Sequence, residues 1–129
     1  MRDPHESVSV DLSDEQWFLL RCGLVEWGGP ARCTPAMAVA LGFASVENFF
    51  DERYRLIRLI ETRQALIRWD WTRSLLATEV VFASNVLGSG REWPITTGLD
   101  DVKTIRTLRE LQAKLASVVC PMDPDARPR

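Results

Sequence analysis

Residues 70–88, DWTRSLLATEVVFASNVLG, decide how this chain folds. After Asp70 the only charges are Arg73 and Glu79, no Gly or Pro interrupts before Gly88, and apolar side chains fall on nearly every side of a 3.6-residue period. A helix without a polar face has no side to turn to water, so it belongs in the middle of a bundle. The rest of the chain must then supply amphipathic helices to cover it.

The flanking sequence does so. In SDEQWFLLRCGLVEWGG (13–29), Ser13 with Gln16 three residues on forms a capping box, Trp17, Leu20, Leu24 and Trp27 recur at helical spacing, and Gly28 and Gly29 end the run. TPAMAVALG (34–42) opens with Thr34 as N-cap and Pro35 in the first helical position, and Gly42 closes it. SVENFFDERYRLIRLIE (45–61) starts at Ser45 and turns Val46, Phe49 or Phe50, Arg53, Ile57 and Ile60 to one face. DDVKTIRTLRELQAKLASVV (100–119) carries the stripe Ile105, Leu108, Leu111, Leu115 and Val118. Between Ser45 and Leu87 there is neither Gly nor Pro. One helix of that length would be several times the ~11–12 residues usual in globular domains, so a break is expected between Thr62 and Asp70, with Asp70 capping the fourth helix. The expectation is an all-α bundle of five helices, about 13–28, 35–41, 45–62, 70–87 and 100–119, with the fourth central. Residues 11–120 form one domain, residues 1–10 a flexible leader, and 121–129 a flexible tail in which three prolines forbid a helix.

Composition fits this plan. A chain of 129 residues with 46% hydrophobic and 26% charged residues is in the range of a single globular domain that needs no metal or disulfide to hold it. No apolar run approaches the ~20 residues that a bilayer requires. The acidic N-terminus is unlike a signal peptide, and three cysteines without C-x-x-C spacing read as free thiols, so a cytoplasmic location is expected. The net charge of −2 conceals an asymmetry: residues 1–52 carry 3 Arg against 9 acids, residues 53–129 carry 13 bases against 9 acids.

The sequence offers little chemistry. Its one histidine, His5, lies in the leader, which leaves the domain without a Ser-His-Asp or Cys-His centre. The scattered cysteines make no zinc ligand pair, and no cofactor or metal site is expected. Glu79, with Leu75, Leu76, Phe82 and Ala83 three and four residues away, is the one carboxylate expected inside the core. It reads as a structural acid paired across helices, with catalysis by a raised-pKa Glu79 as an alternative. GSGREWPITTG (88–98) lacks the Lys and third Gly of a phosphate loop. Its glycines read as helix punctuation, Gly88 as the C-cap of the fourth helix, while Arg91, Glu92 and Trp93 form an insert that capping does not require. Two arrangements of Trp93 are open: a lid folded onto the core, or an exposed anchor beside an arginine. The acidic face of the first helix (Asp14, Glu15 and Glu26) or this REW loop is the expected partner surface, and the expected partner is another protein.

Two resemblances bear on function. AVALGFASVENFFDERYRL (38–56) resembles the second helix-turn-helix unit of AraC-type regulators, which implies a DNA reader over residues 34–60. Glu47, Asp51 and Glu52 near the start of its second helix oppose the phosphates that dominate such affinity, so this stands as the alternative. LSDEQW, WTRSLLATEVVFAS, GSGREW and TTG followed by TIRTLRELQAKL together resemble a family of small all-helical bacterial proteins. Size, acidic N-terminal third and lack of catalytic groups are similar to bacterial immunity proteins, which implies an inhibitor that covers a toxin's active site.

Overall fold

The computed structural model describes residues 2–29 and 31–121 and places the expected helix at the centre. This helix, α4 (Arg68–Ala83), buries Trp69, Trp71, Leu75, Ala77 and Val81 together with Asp70, Arg73 and Thr78, residues from all round its circumference. α1 (Asp14–Val25) makes its most extensive contact with it and also touches the third and last helices. At Gly23 the two backbones approach so closely that a methyl group would run into Thr78 of α4. α3 (Val46–Glu61) covers α1 with Phe49, Leu56 and Ile60, and the short α2 (Pro35–Ala40) packs on α3. α6 (Asp101–Leu115) closes the other side with Leu108, Leu111 and Leu115. A sixth, five-residue helix, α5 (Trp93–Thr97), was not among the five expected.

The helix starts follow from the capping residues. Ser13 and Gln16 make both bonds of the capping box, and Thr34, Ser45 and Asp100 each accept the backbone N–H three residues on. Gly42 follows α2 with φ +95, a conformation costly for any residue with a Cβ.

α4 is different. It begins at Arg68, so Asp70 is not its cap but lies inside the first turn, and the residue before the helix, Ile67, offers no capping side chain. The first N–H groups of a helix still need acceptors. Residues 4–6 supply them: Arg68 N–H donates to the Glu6 carbonyl at 2.9 Å and Trp69 N–H to that of Pro4 at 3.0 Å. Next to this junction β1 (Ser7–Val8) pairs antiparallel with β2 (Leu66–Ile67), and the Trp71 indole N–H donates to the Val8 carbonyl. Arg2 and Arg68 donate onward to the carbonyls of Val119, Ser117 and Val118 after α6. The segment expected as a loose leader is therefore a strap across one end of the bundle. The tail expected at 121–129 lies outside the described residues beyond Pro121.

α4 also stops earlier than expected, at Ala83, with Ser84 rather than Gly88 at its C-cap. The chain then folds back so that Ser89 N–H reaches the Val81 carbonyl at 2.7 Å. Gly88 is required by this return, because a methyl there would press on the carbonyls of Val80, Val81 and Ser84. In α6 the buried stripe runs through Thr104 in place of Ile105, which is exposed. No helix of the described residues is long and apolar enough to cross a membrane.

Candidate functional site

The residues expected at a partner surface separate into two groups. Trp93 is fully buried, at 0% exposure. Its indole N–H donates to Thr104 Oγ1 at 2.9 Å and its ring meets Phe82 edge-on at 5.4 Å, so of the two arrangements the structure adopts the lid. Glu26 is likewise no surface acid. α1 ends at Val25 and tightens into a 3-10 turn over Glu26–Gly28, which carries the carboxylate inward to 6% exposure. There it accepts the hydroxyls of Ser89, at 2.8 Å, and Thr96, fastening the end of α1 to the return loop and α5. Glu79, expected in the core, is only half-buried and accepts from Gln112 Nε2 at 2.6 Å, joining α4 to α6. Arg91 and Glu92 remain exposed, with the Arg91 N–H held by Asn85 Oδ1.

Asp14 and Glu15 do stay on the surface, and both line a trough of about 710 Å³. Its floor is the outer face of α1, where Phe18 is 43% exposed beside Trp17. One wall is the end of α3 and the following turn, with Ile60, Glu61 and Arg63; the other is Leu99 and the start of α6, with Lys103, Thr104 and Thr107. A smaller hollow of about 240 Å³ shares Glu15, Lys103 and Thr107 with it and extends the trough along the α1–α6 seam to Arg106 and Glu110. The charges on the two walls differ in state. Toward α3 they are closed, Asp14 to Arg63 at 2.7 Å and Arg21 to Glu61 at 3.1 Å. Toward α6, Glu15, Lys103, Arg106 and Glu110 make no ion pair among the described residues. Phe18 and Lys103 were not among the expected site residues. The signal for Phe18 was its place off the Trp17, Leu20, Leu24 stripe, on the side of α1 that no other element needs.

Four arginines of α3 and α4, Arg53, Arg55, Arg68 and Arg73, are engaged within the fold. Arg53 is buried and donates to the carbonyls of Leu24 at 2.7 Å and Val25 at 3.3 Å, capping the end of α1, with its guanidinium over the Phe50 and Tyr54 rings. Asp70, 2% exposed, accepts both Nη groups of Arg55 at 3.0 Å and Nη2 of Arg73 at 2.7 Å. Arg73 lies over the Phe43 ring at 4.3 Å. The hydrogen bond from Arg55 holds the Glu52 carboxyl below its ordinary pKa. Burial works to lower the pKa of Arg55, and the bonds to Asp70 and Glu52 overcome it and hold it above its usual value. In the α2–α3 pair, where the sequence led to the expectation of a DNA reader as the alternative, Arg53 and Arg55 thus serve the packing of α3, while Glu47 and Asp51 are exposed.

Burial pushes the thiols of Cys22 and Cys33 up to about 11, which leaves them protonated and weakly nucleophilic at neutral pH. Among the described residues there is no group of three or more His, Cys, Asp or Glu disposed to hold a metal ion. Comparison with protein-family models, with curated proteins and with solved structures gives no match.

Proposed function

We propose that this protein is a non-enzymatic protein-binding module, of the kind represented by immunity-type inhibitors, that receives its partner in the α1 trough. The observation that carries the reading is Phe18, a large aromatic left 43% exposed on the floor of a trough of about 710 Å³. Aromatic anchors in partly enclosed, charge-rimmed hollows are where interface energy concentrates. The trough is continued by the adjoining hollow along the seam, a shape suited to an element of a polypeptide. The inhibitor reading rests on the resemblance to small helical immunity proteins.

The test is affinity capture from the native cell with three baits. The unaltered chain is expected to retain a partner that Phe18→Asp loses and Arg91→Ala, outside the trough lining, keeps. For an inhibitor, the retained partner has a toxic or enzymatic activity that stoichiometric addition of this protein abolishes. Retention of the same proteins by the unaltered and Phe18→Asp baits sinks the trough as the interface.

A further inference from the structure

The trough is the concave half of a surface whose convex half lies beside it. Taking Leu108 and Leu111 as the inward direction of α6, the helical period places Arg106 opposite, at the crest, with Val102, Lys103 and Glu110 alongside it. Val102 is 68% exposed on this ridge. Ridge and trough therefore run side by side, and both carry charge that is unpaired among the described residues. The four seam groups that make no ion pair among the described residues are two anions, Glu15 and Glu110, and two cations, Lys103 and Arg106. Such a neutral set favours neither a basic nor an acidic partner over its whole length. The ridge, with Lys103 and Arg106 against Glu110, is net cationic and the trough beside it holds Glu15, so the ridge of one copy complements the trough of another, as a two-fold interface requires.

We propose that, while no foreign partner occupies it, the trough is filled by a second copy of this chain, with the α6 ridge of each copy lying in the α1 trough of the other. The proposal rests on reading the trough as a protein-binding surface. In this arrangement Val102 of each copy reaches Phe18 of the other, and Lys103 and Arg106 meet the carboxylate of Glu15 across the two-fold axis. The apolar contact supplies affinity, and the charge pairs fix the register.

The experiment is sedimentation equilibrium of the purified chain from about 1 µM to about 0.2 mM, with variants checked for unaltered helix content. The unaltered chain is expected to dimerise within this range. Phe18→Asp is expected to raise the dimer dissociation constant at least about thirtyfold. Glu15→Lys and Lys103→Glu, both on exposed side chains that the core does not use, are each expected to raise it about tenfold, and the double exchange to return it to within about threefold of the original. A monomer throughout the range overturns the proposal, as does a dimer indifferent to Phe18→Asp or a double exchange no better than the single ones. If the chain is monomeric and Phe18→Asp still empties the affinity capture, the second-copy inference falls while the protein-binding reading stands. If the dimer forms as described and Phe18→Asp captures what the unaltered chain captures, the reverse holds for the foreign partner.

Discussion

Replacing Asp70 by alanine isolates the cost of a buried charge that has lost its counter-ion. Asp70 is the meeting point of α3 and α4, bonded twice to Arg55 at 3.0 Å and once to Arg73 at 2.7 Å. After the change the two arginines fare differently. Arg55 is partly exposed and retains Glu52 at 2.7 Å, so water and that carboxylate absorb most of its loss. Arg73 is buried and keeps the Phe43 ring and, as polar partners, only the Gly42 carbonyl at 3.4 Å and Glu52 at 3.5 Å. Breaking a buried pair by removing one partner costs about 3–5 kcal/mol, and the escape of Arg55 puts this case near about 3 kcal/mol. In a domain of this size that is a large share of the about 5–15 kcal/mol available, and corresponds to a fall in Tm of roughly 10 °C. Urea denaturation followed by tryptophan fluorescence measures it. The informative comparison is with Arg73→Met and with Asp70→Ala/Arg73→Met, because the double variant no longer leaves a buried cation unpaired. It is expected to lose at least about 1.5 kcal/mol less than the sum of the single changes. A single Asp70→Ala cost under about 1 kcal/mol, or strict additivity of the pair, would refute the reasoning.

Three further outcomes are expected from the same geometry. Because the Arg55 bond lowers the Glu52 pKa in the folded state, its contribution is present above the ordinary value of 4.5 and is lost as pH falls through the lower folded value. Urea midpoints recorded at pH 6 and downward from pH 4.5 should decline, and the decline should be shallower in Glu52→Gln. Trp93→Ala should cost about 3–5 kcal/mol as a core cavity, and Trp93→Phe about 1–2 kcal/mol for the lost bond to Thr104 and the reduced ring; equal midpoints for Trp93→Phe and the unaltered chain would remove the bond from the account. Glu26→Ala should cost about 1–3 kcal/mol by leaving the buried Ser89 hydroxyl without its acceptor, and hydrogen exchange should accelerate over residues 84–98, whereas acceleration confined to α1 would contradict the fastening role.

What could be read in the sequence was set by local chemistry. Ser13, Thr34, Ser45 and Asp100 announce helix starts because the acceptor and its N–H lie three residues apart, and an apolar circumference told the central helix from its neighbours. What could not be read depended on chain distant in sequence. Asp70 looked like a cap because the carbonyls of Pro4 and Glu6, which do the capping, are more than sixty residues away. Glu26 looked like a surface acid because its acceptor role is defined by Ser89 and Thr96. Glu79 looked like a core acid because its helical neighbourhood is apolar, but the edge of α4 that carries it faces Gln112 at the α6 seam. Trp93 was legible as a question, and only the position of Thr104 answers it. Of the expected partner surface, Asp14 and Glu15 stand in the trough, Arg91 and Glu92 stand exposed elsewhere, and Phe18 was visible only as a residue that fitted no stripe.

The strap has a consequence for the order in which the molecule assembles. The opening turn of α4 takes its acceptors from Pro4 and Glu6, so the central helix is not finished by its own sequence. The strap holds the start of α4 by two backbone bonds and a two-residue ladder and buries little apolar surface of its own, and segments of that kind form late and open first. The bundle of α1, α3, α4 and α6 is therefore expected to collapse first with α4 frayed at its start, and docking of residues 4–8 to be the last step. Run in reverse, native-state exchange should open the Arg68 and Trp69 amides at a free energy well below global unfolding. The end of α4 would then act as a separate cooperative unit, released without the core being disturbed.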